Sequence, residues 1–428
     1  MTMKKITILG DVMCEPPVFG QAEKKDGSFD FMPAYKHLKP LLKGADYVMA
    51  NLETPLAGEE LGYTKRLVSF NAPDGLAETM KAIGVDFVST ANNHAMDRGN
   101  AGLENTVKAL DAIGLDHTGT FVNYRKDMPE RIFYKQLGDT KIAVIAYTYG
   151  TNYGINGSEP DEKKGNHVNY LKPCTSKTGV GERNFTKEYK EALKLCEAVA
   201  GKKPMWEDEV KMRNVLGISQ AYADTCLVPA EYEGCLKQVE ADYKEARKNA
   251  DLVFIMPHMG GQFNEKPGAF SEYMAWEFMK MGFDGVLAAH SHTLQKAEYI
   301  KKMPCFFSIG NVSMSPFSTY AERSTLPEYS VVPHFYVEKG KIKEVTFSIL
   351  KIVEELKGGL TVTDEMYRER CRTMDGDTPV GRIIVYPVPE LYEKLNGEQK
   401  EDLLSELQII YKRVTGKKFP GIMAEYKL

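Results

Sequence analysis

Five junctions of one kind restrict the folding of this chain more than any other feature: a helical stretch, then Gly or Asn, one intervening residue, and an Asp. They are Gly44-Ala45-Asp46 ahead of Tyr47-Val48-Met49, Gly84-Val85-Asp86 ahead of Phe87-Val88, Gly114-Leu115-Asp116, Asn249-Ala250-Asp251 ahead of Leu252-Val253-Phe254-Ile255, and Gly282-Phe283-Asp284 ahead of Gly285-Val286-Leu287. Gly and Asn accept the left-handed conformation that ends a helix. The preceding stretches carry apolar residues three and four apart, such as Leu76, Met80 and Ile83, or Leu103, Val107, Leu110 and Ile113. Each such helix lays one apolar face on a sheet, and alternating helices and strands predict an α/β layered domain.

The residues just past the strands point to chemistry. Residues 6–9 run into Gly10-Asp11, 47–50 into Asn51-Leu52-Glu53, 87–90 into Asn92-Asn93-His94, 252–256 into Pro257-His258, and 285–289 into His290-Ser291-His292. In α/β sheets the carboxyl ends of the strands line one edge, where residues distant in sequence converge. Of the eight histidines, four (His94, His258, His290 and His292) fall at these ends. Asp, Glu, Asn and His together make a suitable shell for one or two divalent ions of the manganese, iron or zinc type. Asp97, three residues after His94, is close enough to orient its imidazole. Taken alone, Asn92-Asn93-His94 could equally be a turn followed by a helix cap.

A length of 428 residues can bury a sizeable core. A net charge of -4 gives no electrostatic case for nucleic acid or an anionic membrane. The apolar run after Lys4 and Lys5 stops at Gly10, too short for a signal peptide or a transmembrane helix, and no other stretch reads as a span. Seven scattered cysteines without a Cys-x-x-Cys pair argue against a disulfide framework, so the expectation is a reduced, cytoplasmic protein.

Asn51-Leu52-Glu53, Ala91-Asn92-Asn93-His94-Ala95-Met96-Asp97-Arg98-Gly99, His258-Met259-Gly260, His290-Ser291-His292 and Ser308-Ile309-Gly310-Asn311, in this order after Gly10-Asp11, resemble the CapA family of capsule and poly-γ-glutamate synthesis proteins over about residues 4–315. That family is similar to the calcineurin-like metallophosphoesterases. The resemblance implies a four-layered αββα sandwich with a two-metal site: Asp11 and His292 for a first ion, Glu53 bridging, and Asn93, His258 and His290 for a second. It also implies catalytic roles for His94 and Asp97 and substrate contacts from Asn92, Arg98 and Asn311. Two ions bridged by a carboxylate can clamp the attacking and leaving oxygens of a phosphoryl centre. The chain departs from the phosphoesterases at Met13, where they carry a ligand histidine; a thioether is a poor ligand for such ions. Gln262 stands where the CapA family commonly has glutamate.

The expected organisation is a core of residues 1–353 interrupted by a charged insert at about 151–229, followed by an extension, 354–428, with a packing helix near 402–413. The insert, with Gly165-Asn166-His167, Gly179-Val180-Gly181-Glu182 and a helical stretch at 187–200, is either a lid or a surface elaboration. Three functions remain in view. One is a metal-dependent hydrolase of phosphoester type that acts on an anionic small molecule or polymer and works with capsule-synthesis partners. Another is a non-catalytic accessory protein that binds polyglutamate or an envelope partner. The third is a γ-glutamyl amide hydrolase using the same ions.

Overall fold

The structure, a computed structural model, describes residues 3–64, 69–173, 227–315, 321–363 and 381–428, with Lys194, Glu197, Ala198, Asp224, Ser318 and Met366 as isolated positions. Two sheets face each other. In the first, the parallel strands Lys4–Val12, Tyr47–Leu52, Phe87–Ser89 and Asp116–Thr118 lie side by side in chain order. On the other side of Lys4–Val12 come the antiparallel strands Tyr329–Glu338, Lys341–Leu356 and Gly359–Thr361. Arg382–Pro387 and Tyr426–Lys427 pair with Lys341–Leu356, and Asn311–Ser313 runs parallel to the end of the first strand. The second sheet has the order Ala297–Ile300, Met303–Phe306, Gly285–Leu287, Leu252–His258, Thr140–Thr148, Phe133–Leu137.

The Asp of the recurring junction has a specific task. Asp46 accepts the backbone N–H of Lys5 (2.8 Å), Asp86 that of Val48 (2.8 Å), Asp251 that of Lys141 (2.8 Å) and Asp284 that of Val253 (2.7 Å). Each Asp also donates its own N–H to the carbonyl of that same residue. The side chain thereby ties the start of each new strand to the strand beside it. Asp116 differs: its N–H bonds the Asp86 carbonyl, while its carboxylate receives the Tyr47 hydroxyl and Lys135. The left-handed helix ends occur at Gly84, Gly114 and Gly282. Two expected ones do not. Gly44 lies outside the left-handed region, and helix Pro229–Asn249 passes into an extended Ala250.

Side-chain alternation along the strands generates the layers. Ile6, Ile8, Tyr47, Met49 and Phe87 of the first sheet meet Ile142, Val144, Ala146, Leu252, Phe254 and Met256 of the second in one central core. Val48, Ala50 and Val88 face outward onto Leu38, Leu76, Met80, Ile83 and Leu110 of the helical layer. On the opposite side, Ala143, Ile145, Val253 and Ile255 meet Tyr232, Val239, Ala246, Phe270, Met274 and Phe278. This is the αββα sandwich.

Strand Lys341–Leu356 runs unbroken through residues 353 and 354, where the core was expected to end. Helix Gly397–Thr415 starts in a capping box of Asn396 and Gln399 and adds Leu403, Leu407, Ile410, Tyr411 and Val414 to the central core. The Lys5 ammonium sits 2.5 Å from the Glu425 carboxylate, joining residues 420 apart in sequence. Within the insert, Asn166 hydrogen-bonds Asn100 and Glu104, and His167 stacks on Tyr124. Residues 179–182 and most of 187–200 lie outside the described residues, as do Cys174, Cys196, Cys226 and Cys371; Cys14, Cys235 and Cys305 are free thiols. No helix among the described residues is long and apolar enough to cross a membrane.

Candidate metal centre

The carboxyl ends of five strands converge as the sequence pattern requires. Asp11 lies near the end of Lys4–Val12, Glu53 directly after Tyr47–Leu52, and Asn93 and His94 in the turn after Phe87–Ser89. His258 closes Leu252–His258, and His290 and His292 follow Gly285–Leu287. Backbone geometry at two glycines allows the approach. A Cβ on Gly10 would lie 1.9 Å from the carbonyl oxygen of Gly310, and Gly310 itself has φ 77°. Side chains are therefore excluded where the first strand closes on Asn311–Ser313 and Asp11 pairs with Asn311. His290 (φ 110°) and His292 (φ 54°) occupy left-handed backbone without being glycine. Such conformations cost about 1–3 kcal/mol each and persist where surrounding structure enforces them; here the Asp11 carboxylate receives the His290 backbone N–H at 3.1 Å.

Glu53 is the hub. Its Oε1 is 3.3 Å from His258 Nε2, 3.7 Å from His292 Nε2 and 4.0 Å from His94 Nε2. His258 Nε2 also lies 2.8 Å from Asn93 Oδ1 and 3.1 Å from His290 Nδ1, while His292 Nδ1 is 3.6 Å from Asp11 Oδ2. The donor atoms fall into two groups sharing Glu53: Glu53, His258 and His290, and Asp11, Glu53 and His292, each spanning no more than 4.8 Å.

Electrostatics set this cluster apart from a structural polar network. Burial pushes the Glu53 carboxyl well above the usual carboxylate range, and the charge of neighbouring Asp11 adds to it. Asp11 moves the other way: burial would raise it, but the adjoining His292 and His258 imidazoles and the Asn51 amide outweigh burial and hold it low. Of two close carboxyls, one keeps a proton and one stays charged. Burial lowers the His258 imidazole to about 3 and pushes His290 well below its ordinary value, helped there by the neighbouring His258 and His292 imidazoles. Both Glu53 oxygens are buried without a hydrogen-bond partner. Neutral imidazoles and an unsatisfied carboxylate at one point form a donor set that fits a divalent cation.

Around this set the remaining expected site residues are bonded within the protein. His94 Nδ1 lies 2.6 Å from Asp97 Oδ2, and Phe70 stacks on the ring with centroids 4.2 Å apart. The three expected substrate contacts are engaged by the protein itself. Asn92 bonds the Leu52 carbonyl and the His94 N–H; Arg98 bonds the Gly62 and Asp97 carbonyls and the Ser69 hydroxyl. Asn311 offers Oδ1 to His292 Nδ1 at 2.9 Å while its amide group bonds the His292 and Pro327 carbonyls. The physical reason is burial: an amide with 1% exposure or less must satisfy its polar atoms locally. Met13 is fully buried in an apolar cluster with Phe263, Val312 and Met314.

Sequence reasoning missed two amides. Asn51 Nδ2 is 2.7 Å from Asp11 Oδ1 and 3.2 Å from His258 Nδ1, linking the two ligand groups. Its place two residues before Glu53, on the same strand face, was the available signal. Asn152, at the start of the insert, touches both Asn93 and His94; no local pattern marked it.

Fold and site thus define an αββα sandwich with a buried carboxylate, amide and imidazole cluster at the strand ends. The model of the bacterial capsule synthesis protein PGA_cap matches residues 5–315, and the chain belongs to that family. It is 24% identical over 359 residues to the capsule biosynthesis protein CapA of Bacillus anthracis, covering 81% of this chain and 70% of the relative. To the PGA biosynthesis protein CapA of Bacillus subtilis (strain 168) it is 21% identical, covering 76% of this chain and 66% of the relative. Among solved structures, a 5'-nucleotidase from Candida albicans SC5314 aligns with 77% of this chain and 46% of its own at 9% identity and a TM-score of 0.33. A hypothetical protein from Thermus thermophilus aligns with 81% and 98% at 14% identity and a TM-score of 0.41. At these scores the structural likeness adds nothing about chemistry.

Proposed function

We propose that the protein is a metal-dependent hydrolase of phosphoester type that acts on an anionic substrate in capsule or poly-γ-glutamate synthesis. The observation that carries the reading is Glu53: a buried carboxylate with both oxygens unpartnered, within 4.0 Å of three imidazole nitrogens. Glu53, Asn93, His258 and His290 would hold one divalent ion, and Asp11, Glu53 and His292 a second. Bound there, such ions supply Lewis acidity toward a phosphoryl oxygen and favour water as nucleophile at neutral pH.

The chain's own residues would do the rest. Asp97 keeps a proton on His94 Nδ1 and fixes the ring, so that Nε2 is the atom turned toward Glu53 and able to donate a proton to a leaving oxygen. Asn311 in the same way keeps the proton of His292 on Nδ1 and leaves Nε2 for an ion. The low protonation range of His258 and His290 leaves both ready as ligands at neutral pH.

Met13 favours a second reading. With an apolar side chain where the phosphoesterases carry a ligand, the Asp11 side has fewer donors, as in an accessory protein that keeps one ion and binds polyglutamate. The test is metal content beside turnover of phosphomonoester, phosphodiester and γ-glutamyl amide substrates. The hydrolase reading expects turnover that needs an added divalent ion, with His94→Ala retaining metal and losing turnover. Loss of metal in that variant would make His94 a ligand, and an ion-loaded protein inert on all three substrates would favour the accessory role.

A further inference from the structure

We propose that Asn152 is a positioning residue that fixes which end of the Asn93 carboxamide faces the metal centre; the inference rests on the metal-centre reading above. An asparagine side chain has two ends of opposite polarity, and only its oxygen can ligate a cation. At Asn93 the oxygen lies 2.8 Å from His258 Nε2, toward the centre, and the NH2 lies 3.3 Å from Asn152 Oδ1, away from it. Turning the Asn93 amide over would set its oxygen against the Asn152 oxygen and aim an NH2 at the ion. The Asn152 carbonyl therefore selects the ligating orientation.

Asn152 is itself held at both levels of its structure. Its backbone N–H donates to the Asn93 carbonyl at 2.7 Å, and its own carbonyl accepts from Ile155 and Asn156 as the short helix Tyr153–Asn156 begins. Its Nδ2 lies 3.3 Å from His94 Nδ1, which the Asp97 carboxylate engages at 2.6 Å. Partners of this kind, one step removed from the ion, typically change metal affinity by about 10–100-fold when lost.

Manganese(II) titration of the full chain, followed by calorimetry, tests this. Asn152→Leu, which keeps the shape and the backbone bond but removes both polar ends, should weaken one manganese step by about 10–100-fold and leave the other unchanged. In an Asn93→Ala background, Asn152→Leu should have no further effect. An Asn152→Leu protein that binds both ions like wild type, or one that loses affinity equally with and without Asn93, overturns the inference. If Asn152→Leu does not fold, a wild-type-like Asn152→Ala titration overturns it in the same way. Wild-type protein that binds no manganese would instead overturn the metal-centre reading itself.

Discussion

Replacing Glu53 by Gln in the metal-free protein isolates the electrostatic cost of the centre. Glu53 is completely buried, its carboxyl pushed well above its ordinary value of 4.5 by burial and then by Asp11. The folded protein therefore holds a proton at pH values where the unfolded chain has released it, so wild-type stability falls as pH rises above about 4.5. The slope can reach about 1 kcal/mol per pH unit until the raised pKa is passed. Gln has the same shape without the proton equilibrium. Urea unfolding of both proteins after chelation should give similar stabilities at pH 4, with Glu53→Gln increasingly the more stable as pH rises. Adding manganese should reverse the order: at a hundredfold excess over its dissociation constant an ion stabilises wild type by about 3 kcal/mol, and the variant would gain far less. Parallel pH profiles for the two proteins, or an undiminished manganese effect in the variant, would refute the assignment of Glu53 as the buried, cation-seeking hub.

Because Met13 packs among apolar side chains, manganese titration of the wild-type protein should resolve one tight and one weaker step, the weaker at Asp11 and His292; two equally tight steps would refute an impaired first site. Gly10→Ala would drive a Cβ to 1.9 Å from the Gly310 carbonyl, and should cost about 1–3 kcal/mol or more in urea unfolding while also weakening metal binding through displacement of Asp11. An unchanged unfolding curve would contradict that packing. His334, buried between Thr7 and Ser348, has its imidazole lowered from 6.5 to about 3 by burial and then by the Lys5 charge. The unfolded chain takes up this proton below about 6.5 and the folded protein only near 3, so stability should fall as pH drops across that window, by about 1 kcal/mol per unit at most. Comparing unfolding of wild type and His334→Gln at pH 7 and pH 4.5 checks it, and identical losses in both would remove His334 as the cause.

The layered fold was legible because the junction Asp does two jobs at once. It follows a helix end, and at four of the five junctions it grips the neighbouring strand's first residues, so one short pattern reports both element type and adjacency. Glu53, His258, His290 and His292 were legible because strand ends in such a sheet share an edge. What sequence could not convey was the direction in which polar atoms are spent. Asn92, Arg98 and Asn311 look available on paper, but each folds back onto local carbonyls or a neighbouring imidazole, a matter of torsion angles and burial and not of residue type. Asn152 was hidden for the opposite reason: it lies 59 residues from Asn93, and only the return of the chain at Thr140–Thr148 brings it there. The boundary expected near 353 falls inside a 16-residue strand, Lys341–Leu356, whose sequence carries no mark at that point.

The pairing of Lys5 with Glu425 has a consequence for the chain while it is being made. The central core draws on both Ile6 and Tyr426, so it cannot close before Tyr426 has left the ribosome. At about 5–20 residues per second, the roughly 420 residues between those ends take about 20–80 seconds to emerge. During that interval the strands beginning at Lys4, Tyr47 and Phe87 can pair with one another, but their inner face waits for a partner sheet and for the closing helix. A nascent chain of this design therefore depends on whatever shields an unfinished apolar surface in the cell, and silent codon changes that slow synthesis of residues 380–428 should reduce yield without touching the folded protein's stability.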